Sequence, residues 1–434
     1  MAGGLASHNR LGMVTAQQLS AVYPLGSRLT GQGRLEIGGC DAIEVAREFG
    51  TPAYVVAEDD LRERARTWRE ALHAHHAEGA VVFASKAFPC TAVLRVFAQE
   101  GLWCDVASAG ELHLALRAGF PPERLVMHGN ARSEDELTYA LASATGTMVI
   151  DNFDDIDRLA GLVDASRPSP QAVMVRVNPG VALSTHASIS TGQADSKFGL
   201  AVKDARVAIA RLQDLPGVAL IGLHVHIGSQ LYELEPFRAA IATLAGLGDF
   251  PVYDVGGGLA APYVDGDRPP KVHEWVAAVS EAVRHRLGPG RRLLVEPGRS
   301  LVANSAVTLY SVVSIKRNVS TWVAVDGGMS DNLRPMLYGA RYEAQVVDRF
   351  GGSVRCRVVG KHCESGDVLV PDAVLDDPRV GDVLVTPGTG AYTYAMANNY
   401  NGVPRPPVVF CKDGDARLVV RRETLDDLAA RDVD

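Results

Sequence analysis

The 434-residue chain contains no run of about 18 consecutive apolar residues, which argues against a transmembrane helix. It also lacks cationic excess. Its 43 Lys and Arg stand against 51 Asp and Glu, a net charge of -8, so the composition offers no electrostatic footprint for nucleic acid or an anionic membrane. The six cysteines (Cys40, Cys90, Cys104, Cys356, Cys363 and Cys411) include no C-x-x-C pair, which fits reduced cytoplasmic thiols better than a disulfide framework or a zinc site. The first ten residues have no basic segment followed by an apolar one, which argues against export. No G-x-G-x-x-G follows the first apolar strand, so a dinucleotide-binding doubly wound sheet is the weaker alternative. What is there is the composition of a globular enzyme, 47% hydrophobic and 22% charged with 43 glycines, long enough for two or three domains.

Two halves differ in their periodicity. Candidate strands at Val81–Ala87, Trp103–Ala107, Leu125–His128, Met148–Asp151, Ala172–Asn178, Gly222–Ile227, Val252–Val255 and Leu293–Glu296 alternate with helical patterns. Eight such units predict a (β/α)8 barrel with its site at the C-terminal ends of the strands. After about residue 305 the chain is β-rich, with Gly, Pro and Asp turns, as in Val307–Ile315, Trp322–Val325, Val354–Val359 and Val408–Cys411. The expected organisation is α/β plus β: residues 1–45 joining the β-domain, 46–304 the barrel, and 305–434 a C-terminal β-sandwich or β-barrel domain. Arg34–Gly39 is the stretch expected to add an edge strand to it.

The barrel's strand ends carry chemistry. Val81-Val82-Phe83-Ala84-Ser85-Lys86 ends an apolar run on a lysine. Burying an ammonium is costly, so Lys86 reads either as a side chain snorkelling from the rim or as an amine of lowered pKa that forms a Schiff base. Gly256-Gly257-Gly258 is either a tight turn or a backbone cradle for a phosphate, to which Ser229 and Arg299 add donors. His224 and His226 alternate along one strand. With His128 they have the makings of a metal site, but that reading leaves Lys86 and the glycines unexplained; an imidazole stacked on a flat cofactor is preferred and no metal is expected. Glu296, in Glu296-Pro297-Gly298-Arg299, is either a rim ion pair or the partner of a pyridine nitrogen. A lysine, a phosphate cradle and a carboxylate together suggest pyridoxal 5'-phosphate.

Several motifs in this order give the chain its resemblance to a family. They are Phe83-Ala84-Ser85-Lys86-Ala87, Cys104-Asp105-Val106-Ala107-Ser108-Ala109-Gly110-Glu111-Leu112, His128-Gly129-Asn130, His226-Ile227-Gly228-Ser229-Gln230, Gly256-Gly257-Gly258, Glu296-Pro297-Gly298-Arg299, Cys363-Glu364-Ser365-Gly366-Asp367 and Gly390-Ala391-Tyr392. From about Arg34 to Arg421 the chain resembles the alanine-racemase-like pyridoxal phosphate decarboxylases, in the branch that converts meso-2,6-diaminopimelate to lysine and carbon dioxide. The resemblance implies that Lys86 holds the cofactor, His226 stacks on it and Glu296 meets its ring nitrogen. Ser229, Gly256, Gly257, Gly258 and Tyr392 would bind its phosphate. Arg299, Arg334 and Tyr338 would clamp the substrate's distal carboxylate, and Glu364 its distal ammonium. Cys363, the proton donor to Cα, and Glu364 are implied to come from the partner subunit of a homodimer. The substrate reading has a physical side as well. A decarboxylase of ornithine, lysine or arginine needs an acid for the distal ammonium but no distal cations, so Arg299 and Arg334 would be left unpaired unless Arg334 is only a surface cation. One departure is the Lys361-His362 pair before Cys363, where the family commonly has Pro.

Overall fold

The computed structural model describes residues 19–164, 169–181 and 196–433; the expected N-terminal segment therefore lies partly outside the described residues. Three short strands open the chain: β1 (Arg28–Leu29), β2 (Leu35–Ile37) and β3 (Cys40–Asp41). They form a small antiparallel sheet of their own. The edge strand expected near Leu35 thus does not extend the large β-domain sheet. It packs on that domain instead: Leu35 and Ile37 are buried in one cluster with Val307, Leu309, Val385 and Val409, and the Leu35 N–H donates to the Val347 carbonyl.

The next strand, β4 (Ala53–Ala57), is buried at every residue. The barrel follows with β5 (Ala80–Ala84), β6 (Trp103–Val106), β7 (Leu125–Met127), β8 (Thr147–Ile150), β9 (Gln171–Asn178), the two-residue β10 (Leu200–Ala201), β11 (Val218–His224), β12 (Val252–Asp254) and β13 (Arg292–Val295). β5 to β9 and β11 to β13 pair in parallel, and β13 returns to β5, so the eight strands close on themselves. β10 pairs outside the ring with the end of β9. Side chains on these strands are buried on both faces, as parallel barrels require. Ala80, Val82, Val126, Val149, Met174, Val252 and Leu294 fill the interior, while Val81 and Phe83 point out into the layer of helices. There Trp68 of the helix Glu58–His73 meets Trp275 of the helix Val272–Leu287 edge-on at 5.4 Å, closing the seam between the first and last helices.

The second domain contains β14 (Ala306–Arg317), β15 (Thr321–Val325), β16 (Gln345–Val346), β17 (Val354–Val359), β18 (Val368–Leu375), β19 (Val383–Pro387), β20 (Val408–Lys412) and β21 (Asp415–Val420). Its main path runs β18-β17-β15-β14-β4-β20-β21. β14 is twelve residues long because it serves two sets of neighbours: its first half lies between β4 and β19, its second half against β15. β4 sits between β14 and β20, so the chain commits a central strand to the β-domain before the barrel begins.

Candidate active site

Lys86, expected at the end of its strand, lies two residues beyond it. β5 stops at Ala84, and Ser85–Ala87 form a 3-10 turn closed by the Phe88 N–H on the Ser85 carbonyl. The turn lifts the amine off the barrel axis into a cavity of about 250 Å³ lined by Lys86, Asp105, His226, Ser229, Gly258, Glu296, Arg299, Tyr338 and Tyr392, with Ala84, Leu259, Gly298 and Ser300. Lys86 is exposed to this cavity, deep within the protein. Burial pulls its proton affinity down, but the negative charges of Asp105 and Glu296, and Tyr392 beside them, outweigh that and leave it above the ordinary lysine value. The lowered pKa expected for the amine is therefore not found in this structure, because the site brings two carboxylates to the lysine.

Glu296 follows directly on β13 and is anchored by its N–H to the Gly256 carbonyl at 2.8 Å. Its Oε1 is 2.6 Å from His128 Nε2 and its Oε2 is 3.2 Å from His224 Nε2. Burial alone would raise its pKa, but the two imidazoles hold the carboxyl well below the usual range. Burial lowers His128's own proton affinity, yet Glu296 and Asp105 bring it above the usual value, whereas burial pushes His224 down to about 4. Asp105 is raised to about 6, chiefly by burial, and Asp254, whose Oδ1 accepts from the Gly256 N–H, is raised well above the carboxylate range by burial and by Glu296. Glu296 is thus the most acidic member of a buried set in which burial raises the other two carboxyls, Asp254 more than Asp105. His128, His224 and Glu296 also bring ligand atoms within 4.8 Å of one another, so the trio has the makings of a cation site. The lysine beside it favours an organic cofactor.

His226 lies just beyond β11, and its Nδ1 accepts from the Gly257 N–H at 3.2 Å. Since the strand ends at His224, the expected alternation stops there, and the two histidines serve different groups. The glycine loop is tightly packed: a Cβ at Gly257 would lie 2.1 Å from the Glu296 carbonyl oxygen, and Gly258 has φ +122°. Only glycine fits such an approach. Gly258 reaches the cavity wall, while Gly256 and Gly257 stand behind it. Arg299 Nε and Nη2 donate to Ser229 Oγ at 3.1 and 2.9 Å, and the guanidinium lies 4.8 Å from the Tyr392 ring centroid. Tyr392, held at φ +63°, is fastened by its N–H to the Ala87 carbonyl, one residue from Lys86.

Arg334 is 5% exposed, which rules out a surface cation. It does not line the cavity but lies behind it, donating to the Tyr342 hydroxyl and stacking over Tyr263, whose own hydroxyl accepts from Arg299 at 2.6 Å. Among the described residues neither Arg299 nor Arg334 has a carboxylate within ion-pair distance. Cys363 is exposed, and neither it nor Glu364 lines the cavity of its own chain. Their loop is braced from inside: Asp367 accepts from the His362 N–H and Nδ1 at 3.0 and 2.8 Å and from the Met329 N–H at 2.7 Å. His362, the departure from the family's Pro, is therefore a buried support of the Cys363 loop.

Sequence reading passed over Asp105, Arg176, Asp254, Tyr263 and Tyr342. Asp105, Arg176 and Asp254 shared one available signal, a charged residue at or near the end of an apolar barrel strand. Arg176 lines a second hollow of about 300 Å³ that shares Lys86, Asp105, His226 and Glu296 with the first.

The donor set fits pyridoxal phosphate: one cavity offers an amine for its carbonyl, an ionised carboxylate for its ring nitrogen, and the hydroxyls of Ser229 and Tyr392 with a glycine loop for its phosphate. This defines a pyridoxal phosphate enzyme on a barrel scaffold. Residues 58–303 match the family model described as pyridoxal-dependent decarboxylase, pyridoxal binding domain. The chain is 47% identical to a diaminopimelate decarboxylase of Actinosynnema pretiosum, covering 95% of this chain and 96% of that one, and 41% identical to that of Bacillus subtilis, covering 94% and 97%. Among solved structures, M. jannaschii diaminopimelate decarboxylase in co-complex with L-lysine has 32% identity and a TM-score of 0.87, covering 94% of this chain and 97% of that one. The chain belongs to the diaminopimelate decarboxylases of the pyridoxal-dependent decarboxylase family.

Proposed function

We infer that this chain decarboxylates meso-2,6-diaminopimelate to L-lysine and carbon dioxide, the last step of lysine biosynthesis. The observation that carries the substrate is the pair of buried guanidiniums, Arg299 and Arg334, with no carboxylate of their own among the described residues. A buried cation without a counter-charge is costly, and a second carboxylate at the far end of the substrate would supply it. Diamine-forming decarboxylases have no such need.

The residues divide the work as follows. Lys86 would hold the cofactor through its amine and keep that amine beside the reacting carbon. Bound pyridoxal phosphate supplies an electron sink for the bond broken at Cα. Glu296, kept ionised by His128 and His224, holds the proton on the ring nitrogen. Its two oxygens each bond one imidazole, and a carboxylate has lone pairs to spare for a third donor. His226 covers the ring; Ser229, Tyr392 and the Gly256–Gly258 loop take the phosphate. Tyr338 closes the wall toward Arg299 and Arg334.

Cys363, as the proton donor to Cα, and Glu364, as the partner of the distal ammonium, act in the neighbouring subunit of a homodimer. Their absence from their own chain's cavity and the exposure of Cys363 support this reading. The described residues divide at 19–57 with the β-domain, 58–304 for the barrel and 305–433, the barrel's start moving from 46 because β4 pairs with β14 and β20. The enzyme works in the cytoplasm: among the described residues no helix is long and apolar enough to cross a membrane, and the six cysteines are unpaired.

The test is carbon dioxide and amine release with added pyridoxal phosphate from meso-diaminopimelate, its LL isomer, lysine, ornithine and arginine. Turnover of the meso isomer is expected; preferential turnover of ornithine, lysine or arginine would overturn the substrate reading and leave the fold and cofactor standing.

A further inference from the structure

The cationic end of the cavity is organised by a residue that carries no charge. Tyr263 is 5% exposed and follows the glycine loop by five positions. Its hydroxyl accepts from Arg299 Nη1 at 2.6 Å, while the Arg334 guanidinium stacks 4.4 Å from its ring centroid. The same ring meets Tyr342 edge-on at 5.3 Å and 77°, and the Tyr342 hydroxyl accepts from Arg334 Nη1. Its backbone is pinned as well: the Tyr263 and Val264 N–H groups donate to Asp267 Oδ2 at 2.9 and 3.2 Å, and the Pro262 carbonyl accepts from Asn304 Nδ2 at 2.8 Å.

Two guanidiniums brought together without a carboxylate repel each other. A phenol between them answers both, through its oxygen lone pair to one and its electron-rich face to the other. A leucine there would fill the space but offer neither. Arg334 Nε, buried and without a hydrogen-bond partner, remains available on a guanidinium whose Nη1 is already committed to Tyr342.

We propose that Tyr263 is a positioning residue that determines specificity: it holds Arg299 and Arg334 in the relative placement that receives the distal carboxylate of the substrate. This rests on reading Arg334 as part of that clamp. Tyr263 does not itself line the cavity and meets its wall at Arg299, so its effect reaches the reaction through the two arginines.

The experiment compares the holoenzyme with Tyr263→Phe, Tyr263→Leu and Arg334→Ala, measuring kcat and KM for meso-diaminopimelate and the inhibition constant of cadaverine, the diamine that lacks the distal carboxylate. Tyr263→Phe loses one charge-assisted hydrogen bond but keeps the ring, so KM is expected to rise about tenfold with kcat changed by no more than about twofold. Tyr263→Leu loses both contacts and should raise KM roughly a hundredfold, approaching Arg334→Ala. The inhibition constant of cadaverine should stay within about twofold in both Tyr263 variants. If KM and the cadaverine constant rise together, Tyr263 merely supports the pocket and the proposal fails. If Arg334→Ala raises KM while both Tyr263 variants leave it unchanged, the clamp stands and the proposal alone fails. If Arg334→Ala leaves KM unchanged, the clamp reading itself fails.

Discussion

At one end of the cavity a carboxylate is bonded by two imidazoles, with two further acids and a lysine around it; at the other, two guanidiniums face phenols and a hydroxyl. The first end balances its charges internally. The second does not. A group that stays through every cycle, as a cofactor does, can be tuned by a network complete in its own right. A group that comes and goes can carry part of the network with it, and a cation left open for it discriminates against ligands that bring no counter-charge.

Disabling the junction of the two ends should have the largest effect. Lys86→Ala is expected to lose the covalent link to the cofactor, read in its absorbance spectrum, and turnover by more than about a thousandfold. Cys363→Ala should slow turnover while still binding cofactor. If Cys363 serves the partner's cavity, mixing the Lys86→Ala and Cys363→Ala proteins under conditions of subunit exchange raises activity to about a quarter of native, from hybrid dimers with one intact site. No recovery in exchanged hybrids would place Cys363 in its own chain's site. A step smaller, Glu296→Gln should break the balanced end alone: the amide cannot hold the ring-nitrogen proton, and kcat should fall roughly a hundredfold with the KM for diaminopimelate nearly unchanged. A rise in KM with kcat intact would mean that the two ends are not separate.

The smallest effect concerns pH. His224 takes a proton near pH 6.5 when unfolded but, buried, only near about 4 in the folded protein. Between those values the unfolded chain binds the extra proton, so this contribution to stability is present above 6.5 and is lost as the pH falls toward 4. With cofactor removed, Tm should drop through this window more steeply for the native protein than for His224→Gln. Parallel curves would contradict a neutral His224 in the fold.

How far the sequence carried depends on the range of the interactions involved. The barrel was legible because each of its strands is a local apolar run, and Lys86 and Glu296 because a charge at the end of such a run stands out. Strand ends were read too long: the run through Ala87 is broken at Ala84 by a turn that local hydrophobicity does not register. β18 escaped because Pro371 and Asp372 interrupt its alternation, although its ends pair well with β17. Arg334 was legible as a cation but not as a buried one. Its partners are aromatic rings, and Tyr263 reaches Arg299 across 36 positions, with no charge pattern to join them.

β4 also bears on how the protein is made. Val56 finds its sheet partner in Ala306, 250 positions later, and its other neighbour, β20, emerges later still. During synthesis from the N-terminus, a five-residue strand of Ala, Tyr and Val is therefore born with both edges unpaired, and all eight barrel strands follow before either partner exists. The barrel can close while the ribosome is still working; the β-domain cannot. Throughout that interval β4 is a sticky edge, open to any passing strand.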